Sequence, residues 1–297
     1  MKVAVAGASG LIGSALVPAL QEAGHEVVRL VRREPVGPDE VAWDPAAGTI
    51  DAARLTEVEG VVNLSGATID RRWTAGRKAE IRESRVGSTR LLAETIARFD
   101  PRPAVLVCAG GVGIYGNRGE EILTEDSPLG TGFLADVGTA WEEVAEPARA
   151  VGIRVVSFRQ GIVLSRKGGA LPRLLTPFKL GLGGRVGSGR QWWSWVSLDD
   201  LVEAYRFALE RDDLSGRFNL TSPNPVTNVQ LTKALGKALR RPTVFPLPAF
   251  AAKAMFGEMA SELLLAGQRA LPAGLLDARF TFAYPELDAA LAHALAE

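Results

Sequence analysis

The first residues of the chain combine a short apolar run with three evenly spaced glycines. The run covers residues 3–6, the glycines are Gly7, Gly10 and Gly13, and a helical pattern follows over residues 11–23. Between a strand and a helix, such glycines permit a tight turn, a close approach of the backbone to phosphate groups, and close packing of the helix on the sheet. The helix N-terminus adds unpaired N–H groups and the positive end of its dipole. This segment therefore predicts a turn that binds a dinucleotide pyrophosphate; the alternative is a tight turn without a ligand.

Short apolar runs alternate with helical patterns through the first 160 residues. Strands are predicted at residues 3–6, 26–31, 60–64, 104–109 and 153–158, and helices at residues 11–23, 75–98 and 135–150. Alternation at this interval is typical of βαβ units, whose right-handed crossovers build a parallel sheet. The sequence therefore predicts an α/β Rossmann fold with a doubly wound parallel sheet.

The pattern changes after residue 160. Residues 181–190 form a glycine-rich basic loop, tryptophans cluster within residues 192–195, and Ser197 with Asp200 resembles a helix-capping pair. Residues 242–248 are predicted to be extended, and an alanine-rich helical tail follows. We therefore divide the chain into a dinucleotide-binding Rossmann domain at 1–160 and a smaller, mostly helical substrate-binding region at 161–297, interleaved into one compact unit.

Charge and cysteine content narrow the classes of partner and compartment. Acidic and basic residues number 34 each, so no basic excess favours nucleic acid or an anionic membrane as a partner. The lone cysteine, Cys108, stands in an apolar run without a disulfide partner in the chain, which is typical of a reducing cytosol. Neither a signal-peptide pattern nor an apolar run long enough to span a membrane is found. We expect a cytoplasmic protein that acts on a small molecule; whether it forms a homodimer stays open.

The end of the second predicted strand indicates which dinucleotide binds. In this fold an acidic residue there accepts hydrogen bonds from the ribose 2′-hydroxyl, whereas a guanidinium can grip a 2′-phosphate. The strand ends in Arg32 and Arg33, which favours NADP(H) over NAD(H), although a pair of solvated surface arginines is the alternative. The pyrophosphate contacts are expected from the glycine turn, at Gly7, Ser9, Gly10, Leu11, Ile12 and Gly13.

Further segments along the whole chain resemble one family. They are Val62-Asn-Leu-Ser-Gly66, Arg72-Trp-Thr74, Glu83-Ser-Arg85, Tyr115-Gly116, Leu123-Thr-Glu-Asp-Ser-Pro128, Phe133-Leu-Ala135, Trp141-Glu142, Gly168-Gly-Ala170, Pro177-Phe178, Gly181-Leu-Gly-Gly184, Gly187-Ser-Gly-Arg-Gln191, Gly257-Glu-Met259 and Gly267-Gln268. With the glycine turn, they resemble an atypical branch of the extended short-chain dehydrogenase/reductase superfamily. That branch comprises the NAD(P)-dependent "epimerase family" proteins, sometimes described as cell-division-inhibitor-like, which have their own C-terminal domain.

The resemblance implies further cofactor contacts. Leu64, Ser65 and Gly66, at the end of the strand predicted over residues 60–64, would line the adenosine side of the cofactor. Glu80 and Arg85 on the following helix would also contact it, and Arg85 could pair with a phosphate. Because this helix is rich in charge, the alternative is that both side chains only belong to a solvated face.

The proton-transfer residues usual in this superfamily are missing. Its members commonly use a Tyr-x-x-x-Lys pair with a serine or threonine, because the lysine lowers the tyrosine pKa and orients the nicotinamide ribose. None of the tyrosines of this chain has a lysine four residues later, and by resemblance Leu134 and Gly138 replace the pair. Tyr115, which follows the strand predicted at 104–109, is the remaining candidate acid; alternatively it only shapes the pocket wall.

The basic loop and the tryptophans are candidate substrate contacts. Arg185 and Arg190 could hold an anionic substrate, and Trp192 could form a flat wall beside it. Alternating exposure along a strand would instead bury Trp193 and Trp195 in the core. No cluster of residues has metal-ligand spacing. The sequence thus predicts an NADP(H)-binding oxidoreductase or epimerase-like protein that acts on an unknown small molecule, for which an anion is one option. The alternative is a non-catalytic NADP(H)-dependent sensor or regulatory protein.

Overall fold

The computed structural model describes residues 1–55 and 57–296. Its strands, numbered in chain order, are β1 Lys2–Ala6, β2 Glu26–Val31, β3 Glu40–Asp44, β4 Thr49–Ile50, β5 Gly60–Asn63, β6 Val105–Gly111, β7 Ile122–Leu123, β8 Arg154–Gln160, β9 Ile162–Leu164, β10 Trp192–Trp193, β11 Trp195–Ser197, β12 Gly216–Leu220, β13 Val226–Thr227 and β14 Arg269–Ala270.

The helices of the described residues lie between and after these strands. They are α1 Leu11–Glu22, α2 Ala75–Ile96, α3 Phe133–Glu143, α4 Glu146–Ala150, α5 Ala170–Lys179, α6 Leu198–Glu210, α7 Asn228–Leu239, α8 Ala249–Phe256, α9 Ala273–Asp277 and α10 Leu287–Ala296, with 3-10 turns at Ala52–Leu55 and Val112–Tyr115 and a π-helical turn at Ala260–Leu264. In the part of the chain that the structure describes, no helix has the length and apolarity needed to cross a membrane.

The main sheet confirms the predicted Rossmann fold. Its strand order is β12-β8-β6-β5-β1-β2-β3-β4, and every neighbouring pair is parallel except β3 with β4. The predicted strands correspond to β1, β2, β5, β6 and β8, whereas β3, β4 and β12 were missed. β4 has only two residues, and the other two missed strands carry buried polar side chains, Glu40 in β3 and Asn219 in β12.

Alternate residues of β1 pack into two cores, one on each face of the sheet. Val3 and Val5 contact a cluster that includes Leu20 of α1, while Ala4 and Ala6 contact a second cluster that includes Leu92 of α2. Burial of a side chain the size of leucine contributes roughly 1.5–3 kcal/mol to the stability of the fold. Because β1 is covered by helices on both faces, its side chains from Val3 to Ala6 all gain from burial, and this part of its sequence is apolar without interruption. The two helical layers therefore fix the carboxyl edge of the sheet, where β1, β2, β5 and β6 end.

The helix predicted over residues 135–150 is divided into α3 and α4. Pro147 stands in the first turn of α4, where its missing N–H costs nothing, and it could not continue a preceding helix without breaking a hydrogen bond. The predicted cap at Ser197 is present, since its hydroxyl accepts from the Asp200 N–H at 3.0 Å. Because the Asp200 carboxylate also accepts from the Ala283 N–H at 2.6 Å, this cap ties α6 to the C-terminal region.

Apart from β12, which belongs to the main sheet, the strands after residue 160 form small two-stranded sheets. β9 pairs with β11, β10 with β13, and β14 returns to β7, which follows β6 in the chain. Trp193 and Trp195 are buried in a cluster with residues of α5, α7 and α10. This is the alternative in which alternating exposure along a strand places both tryptophans in the core. The boundary at residue 160 stays a prediction.

Candidate dinucleotide site

The turn after β1 is closed on its inner side and open on its outer side. Gly7 has a φ of +79°, and a Cβ on it would lie 2.8 Å from the Leu64 carbonyl carbon. A Cβ on Gly13 would lie 2.3 Å from the Gly7 oxygen, so both positions exclude a side chain. Gly10 donates its N–H to the Gly7 oxygen at 3.0 Å, and a Cβ on Gly10 would meet only that oxygen, at 3.3 Å. The backbone at Gly10 can therefore be approached closely from outside.

The N-terminus of α1 has the properties of an anion-binding site. No side chain caps the helix at Gly10, and no acidic residue lies in its first turn. Ser9 and Gly10 are exposed, and Leu11 and Ile12 are half-buried. Because the first N–H groups of a helix lack intrahelical acceptors, they can donate to a phosphate bound at the outer side of the turn.

The two arginines at the end of β2 have different surroundings. Arg33 donates from both terminal nitrogens to Glu40, at 2.6 and 2.7 Å. These hydrogen bonds, with a further one from the Val36 N–H, lower the pKa of the buried Glu40 carboxyl to about 2. Arg32 is exposed and has no hydrogen-bond or ionic partner among the described residues. Arg32 is therefore the guanidinium that is available to a 2′-phosphate.

Asn63, a polar residue at the end of β5, orders the turn that carries Leu64, Ser65 and Gly66. Its side-chain oxygen accepts from the Ser65 N–H at 3.0 Å, and its amide nitrogen donates to the Thr89 hydroxyl at 2.8 Å. Sequence analysis assigned Asn63 no role, although a buried asparagine at the end of an apolar strand is itself a signal that a specific turn must be held.

Arg85 lies directly beneath this turn. A Cβ on Gly66 would be 3.1 Å from its Cζ, and the guanidinium donates to the carbonyls of Ala67 and Ile81 at 3.0 and 3.1 Å. Its Cζ lies 5.2 Å from the Trp141 ring centroid. No carboxylate pairs with Arg85 in the described residues, and burial, then the charge of Arg77, lowers the pKa of Arg85 to about 10. An unneutralised, largely desolvated cation beneath this turn is suited to an anionic ligand.

Glu80 lies on the exposed part of the same helix. It forms an ion pair with Arg77, which also donates to the Thr68 hydroxyl at 2.8 Å. Glu80 therefore fits the alternative that it belongs only to a solvated helix face. Arg85, which has no carboxylate partner among the described residues, does not.

Tyr115 has no exposed surface. Its hydroxyl donates to the Asn219 side-chain oxygen at 2.7 Å and accepts from Arg159 at 2.8 Å. Burial raises the pKa of Tyr115, and the positive charge of Arg159 opposes that increase. A tyrosine that is enclosed and hydrogen-bonded in this way fits the wall of the site, the second of its two expected roles, better than an acid that meets a substrate.

Arg159 continues this buried network to α3. It is 2 % exposed and donates to both oxygens of Glu142, at 2.7 and 2.8 Å. The Glu142 carboxylate raises the pKa of Arg159 above its ordinary value, against the effect of burial. The ion pair thereby fixes α3 against β8 at the place where proton-transfer residues were expected.

Comparisons with known proteins identify the family of this chain. The model of the NAD dependent epimerase/dehydratase family matches residues 3–221, and that of the domain of unknown function DUF1731 matches residues 247–294. The chain belongs to the NAD dependent epimerase/dehydratase family. Its predicted membership in the epimerase-family branch, with a C-terminal domain of its own, is confirmed.

Relatives described as epimerase family proteins match over almost their full length. The epimerase family protein MT2273 of Mycobacterium tuberculosis is 47% identical over 293 residues, which are 98% of this chain and 97% of that protein. The crystal structure of human epimerase family protein SDR39U1 with NADPH has a TM-score of 0.90 and 34% identity, with 100% of both chains covered. A nucleoside-diphosphate sugar epimerase from Corynebacterium glutamicum is 39% identical with a TM-score of 0.84, and the match covers 99% of this chain and 58% of that one.

The two positions that correspond by resemblance to the Tyr-x-x-x-Lys pair are packed against β6 and the turn after it in this epimerase-family chain. A Cβ on Gly138, the lysine position, would lie 3.0 Å from the Ile114 Cβ. Leu134, at the tyrosine position, is half-buried and lies against Gly113. Between β6 and α3 lies a cavity of only about 10 Å³. A lysine at residue 138 would therefore require Ile114 to shift.

The DUF1731 region holds α3 in this position. Gly132, before α3, has a φ of +110° and no side chain with which to cap the helix. The Glu262 carboxylate supplies the cap, accepting from the N–H groups of Phe133 and Leu134 at 2.8 Å each. This contact could not be predicted from local sequence pattern, because Glu262 follows Phe133 by 129 residues.

The predicted substrate residues of this epimerase-family chain are only partly brought together. Arg185 donates to the Ser188 carbonyl at 2.7 Å and so stabilises its own loop. Arg190 is exposed and pairs with Glu120 at 3.2 Å. Trp192 is half-buried, and its ring lies against Arg269, a residue that sequence analysis did not consider.

Proposed function

We propose that this chain binds NADP(H) along the carboxyl edge of the sheet and uses its nicotinamide ring to reduce a small molecule, with NADPH as the hydride donor, or to epimerise one, with NADP+ accepting a hydride that is then returned to the substrate. One observation carries the proposal: a phosphate turn closed by Gly7 and Gly13 but open at Gly10 lies beside a β2 end that presents the free guanidinium of Arg32. The human relative crystallised with NADPH, 34% identical over its whole length, supports it.

The residues that would hold the cofactor are distributed along one edge. The pyrophosphate would meet Ser9, Gly10, Leu11 and Ile12, and Arg32 would meet the 2′-phosphate. Leu64, Ser65 and Gly66 would line the adenosine side, with Arg85 beneath them as a positive charge for a phosphate or an anionic substrate group. Bound NADPH supplies a hydride from its nicotinamide ring.

The positions expected to supply a proton donor do not provide an accessible one. Tyr115 is enclosed, and Leu134 and Gly138 have no acidic proton to give. We therefore propose a substrate whose reduction needs no protein acid, so that solvent supplies the proton after the hydride has reached an electrophilic carbon. A reducing cytosolic location belongs to the same proposal, and burial, which raises the pKa of the Cys108 thiol to about 12, leaves that thiol unreactive.

A second candidate function is a non-catalytic NADP(H) sensor. It is favoured by α3, whose N-terminus is capped by Glu262 of the C-terminal region and whose inner face is filled by apolar packing. In such a protein the cofactor would be bound for its effect on conformation rather than for hydride transfer.

One experiment separates the two functions. The purified protein is titrated with NADPH, then incubated with a metabolite extract and either NADPH or NADP+. The absorbance of the reduced nicotinamide, the product masses and the chromatographic separation of epimers of equal mass are followed. We expect tight NADPH binding, and turnover that Tyr115→Phe leaves largely intact. Loss of turnover in a folded Tyr115→Phe variant would restore tyrosine as the acid. Binding without turnover across broad substrate sets would establish the sensor, and absence of NADPH binding would end both proposals.

A further inference from the structure

Arg269, on the short strand β14, stacks on Trp192. Its Cζ lies 4.1 Å from the centroid of the Trp192 ring. The other guanidinium–aromatic pairs of the described residues are separated by 5.1 to 5.2 Å. Stacking at this distance fixes the plane of a guanidinium and shields one of its faces from water.

The hydrogen-bond donors of Arg269 have no protein acceptor in the described part of the chain. Its Nε is buried without a partner, and neither terminal nitrogen donates to a carbonyl or carboxylate. The loop before β7 carries two acidic residues, Glu120 and Glu121. Each is paired with another arginine, Glu120 with Arg190 and Glu121 with Arg118. Arg269 is therefore held with one buried donor unsatisfied, and its terminal nitrogens have no protein acceptor among the described residues, so both are available to an anion.

The surrounding segment holds Arg269 on the ligand-binding side of the sheet. Gln268 donates to the Gly116 carbonyl at 2.7 Å, and the Gly267 N–H donates to Asn117 at 3.0 Å. β6 is followed by the 3-10 turn at Val112–Tyr115, and Gly116 comes directly after that turn. These contacts therefore join β14 to the loop at the carboxyl end of β6. Ligands of open α/β sheets bind outside the carboxyl ends of the strands.

We propose that Arg269, held by Trp192, binds an oxyanion of the substrate, a carboxylate or a phosphate. The planar fork of a guanidinium matches two oxygens of either group. This inference rests on the proposed function, because it names the substrate class of the same cleft. It transfers to Arg269 the anion-binding role that the sequence had assigned to Arg185 and Arg190, whose guanidinium groups are engaged elsewhere.

The test uses the full chain saturated with NADPH, so that the cofactor's own phosphates cannot compete. Inorganic phosphate and succinate are titrated separately, and the arginine Nε–H resonances are followed by NMR on protein labelled at arginine. The Arg269 signal is assigned by its absence in Arg269→Gln, and we expect it to shift on binding. Arg269→Gln should weaken binding at least about tenfold, because it removes the positive charge and the two-donor fork that would hold the oxyanion.

Matched variants complete the test. Arg190→Gln removes an exposed, paired arginine of the same region and should leave anion binding unchanged, whereas Arg269→Lys, which keeps the charge but loses the fork, should restore only part of it. The probe that binds more tightly identifies the group as phosphate or carboxylate. Binding of neither probe, equal binding to Arg269→Gln, or an equal loss in Arg190→Gln would overturn the inference. The NADPH titration is a separate measurement, so failure of the proposed function would be visible there first.

Discussion

The phosphate turn and the region around α3 both rely on glycines packed against a neighbouring segment, with opposite results. At the turn, Gly13 lets α1 approach β1, and the outer side at Gly10 stays open. At α3, Gly138 lets the helix approach Ile114 so closely that a Cβ at residue 138 would lie only 3.0 Å from the Ile114 Cβ. The same lack of a side chain thus prepares one region for a ligand and closes the other.

The difference indicates that cofactor binding and proton transfer are separable properties of this fold. The turn depends on contacts within residues 7–13 and with Leu64, whereas α3 is held by Arg159 of β8 and Glu262 of the C-terminal region. A change in one set of contacts should therefore leave the other largely intact.

The largest effect is expected at the buried ion pair of the α3 region. Glu142→Gln leaves Arg159, 2 % exposed, without its carboxylate, and should lower the free energy of unfolding by about 3–5 kcal/mol. Denaturant unfolding measures the change, and NADPH affinity under conditions where the variant is folded should match that of the unchanged protein. The double variant Glu142→Gln/Arg159→Met should recover part of the stability. A large loss of NADPH affinity in folded Glu142→Gln would show that the two regions are coupled.

At the phosphate turn, a single methyl group should be enough to disturb the site. Gly13→Ala places a Cβ 2.3 Å from the Gly7 oxygen, so we expect a loss of about 1–3 kcal/mol in stability and clearly weaker NADPH binding. Gly76→Ala is the matched control, because a Cβ there meets nothing within 4 Å and alanine favours the helix. Equal NADPH affinities for the two variants would contradict the assignment of the turn.

A substitution at Arg32 tests the preference of the dinucleotide site for NADPH over NADH. Arg32→Gln removes the partner-free guanidinium and should reduce NADPH affinity about tenfold, while NADH affinity, which involves no 2′-phosphate, stays the same. Arg33→Gln is the comparison, since Arg33 is engaged with Glu40. An unchanged ratio of the two affinities in Arg32→Gln would remove the argument for NADP(H) from the end of β2.

A dependence of stability on pH is expected at the same strand end. The pKa of Glu40 falls from 4.5 to about 2 in the folded chain, so the folded state holds the carboxylate in its charged form. Its contribution to stability is complete above pH 4.5 and is lost as the pH falls toward 2. Unfolding measured across this range should show a smaller acid-dependent loss for Arg33→Gln than for the unchanged protein. Identical pH profiles would contradict this role of the Arg33–Glu40 pair.

Local pattern was sufficient for the elements that depend on neighbours in the chain. The apolar runs of β1, β2, β5, β6 and β8, the glycine turn and the Ser197 cap were all predicted, because burial, φ freedom and capping act over a few residues. Strand β3 was missed because Glu40 is made acceptable in the core by Arg33 and Arg29. Strand β12 was missed because Asn219 is satisfied by Tyr115, 104 residues away in the chain.

The sequence by itself determined that this chain has a dinucleotide-type turn, an NADP(H)-type arginine pair and no Tyr-x-x-x-Lys. Only the tertiary structure decided which member of each set is free to act. It pairs Arg33 and leaves Arg32 exposed, engages Arg185 and Arg190 and leaves Arg269 without an acceptor among the described residues, and encloses Tyr115. The physical reason is that a charge or hydroxyl acquires its role from the partners that surround it, and those partners are supplied by segments distant in the chain.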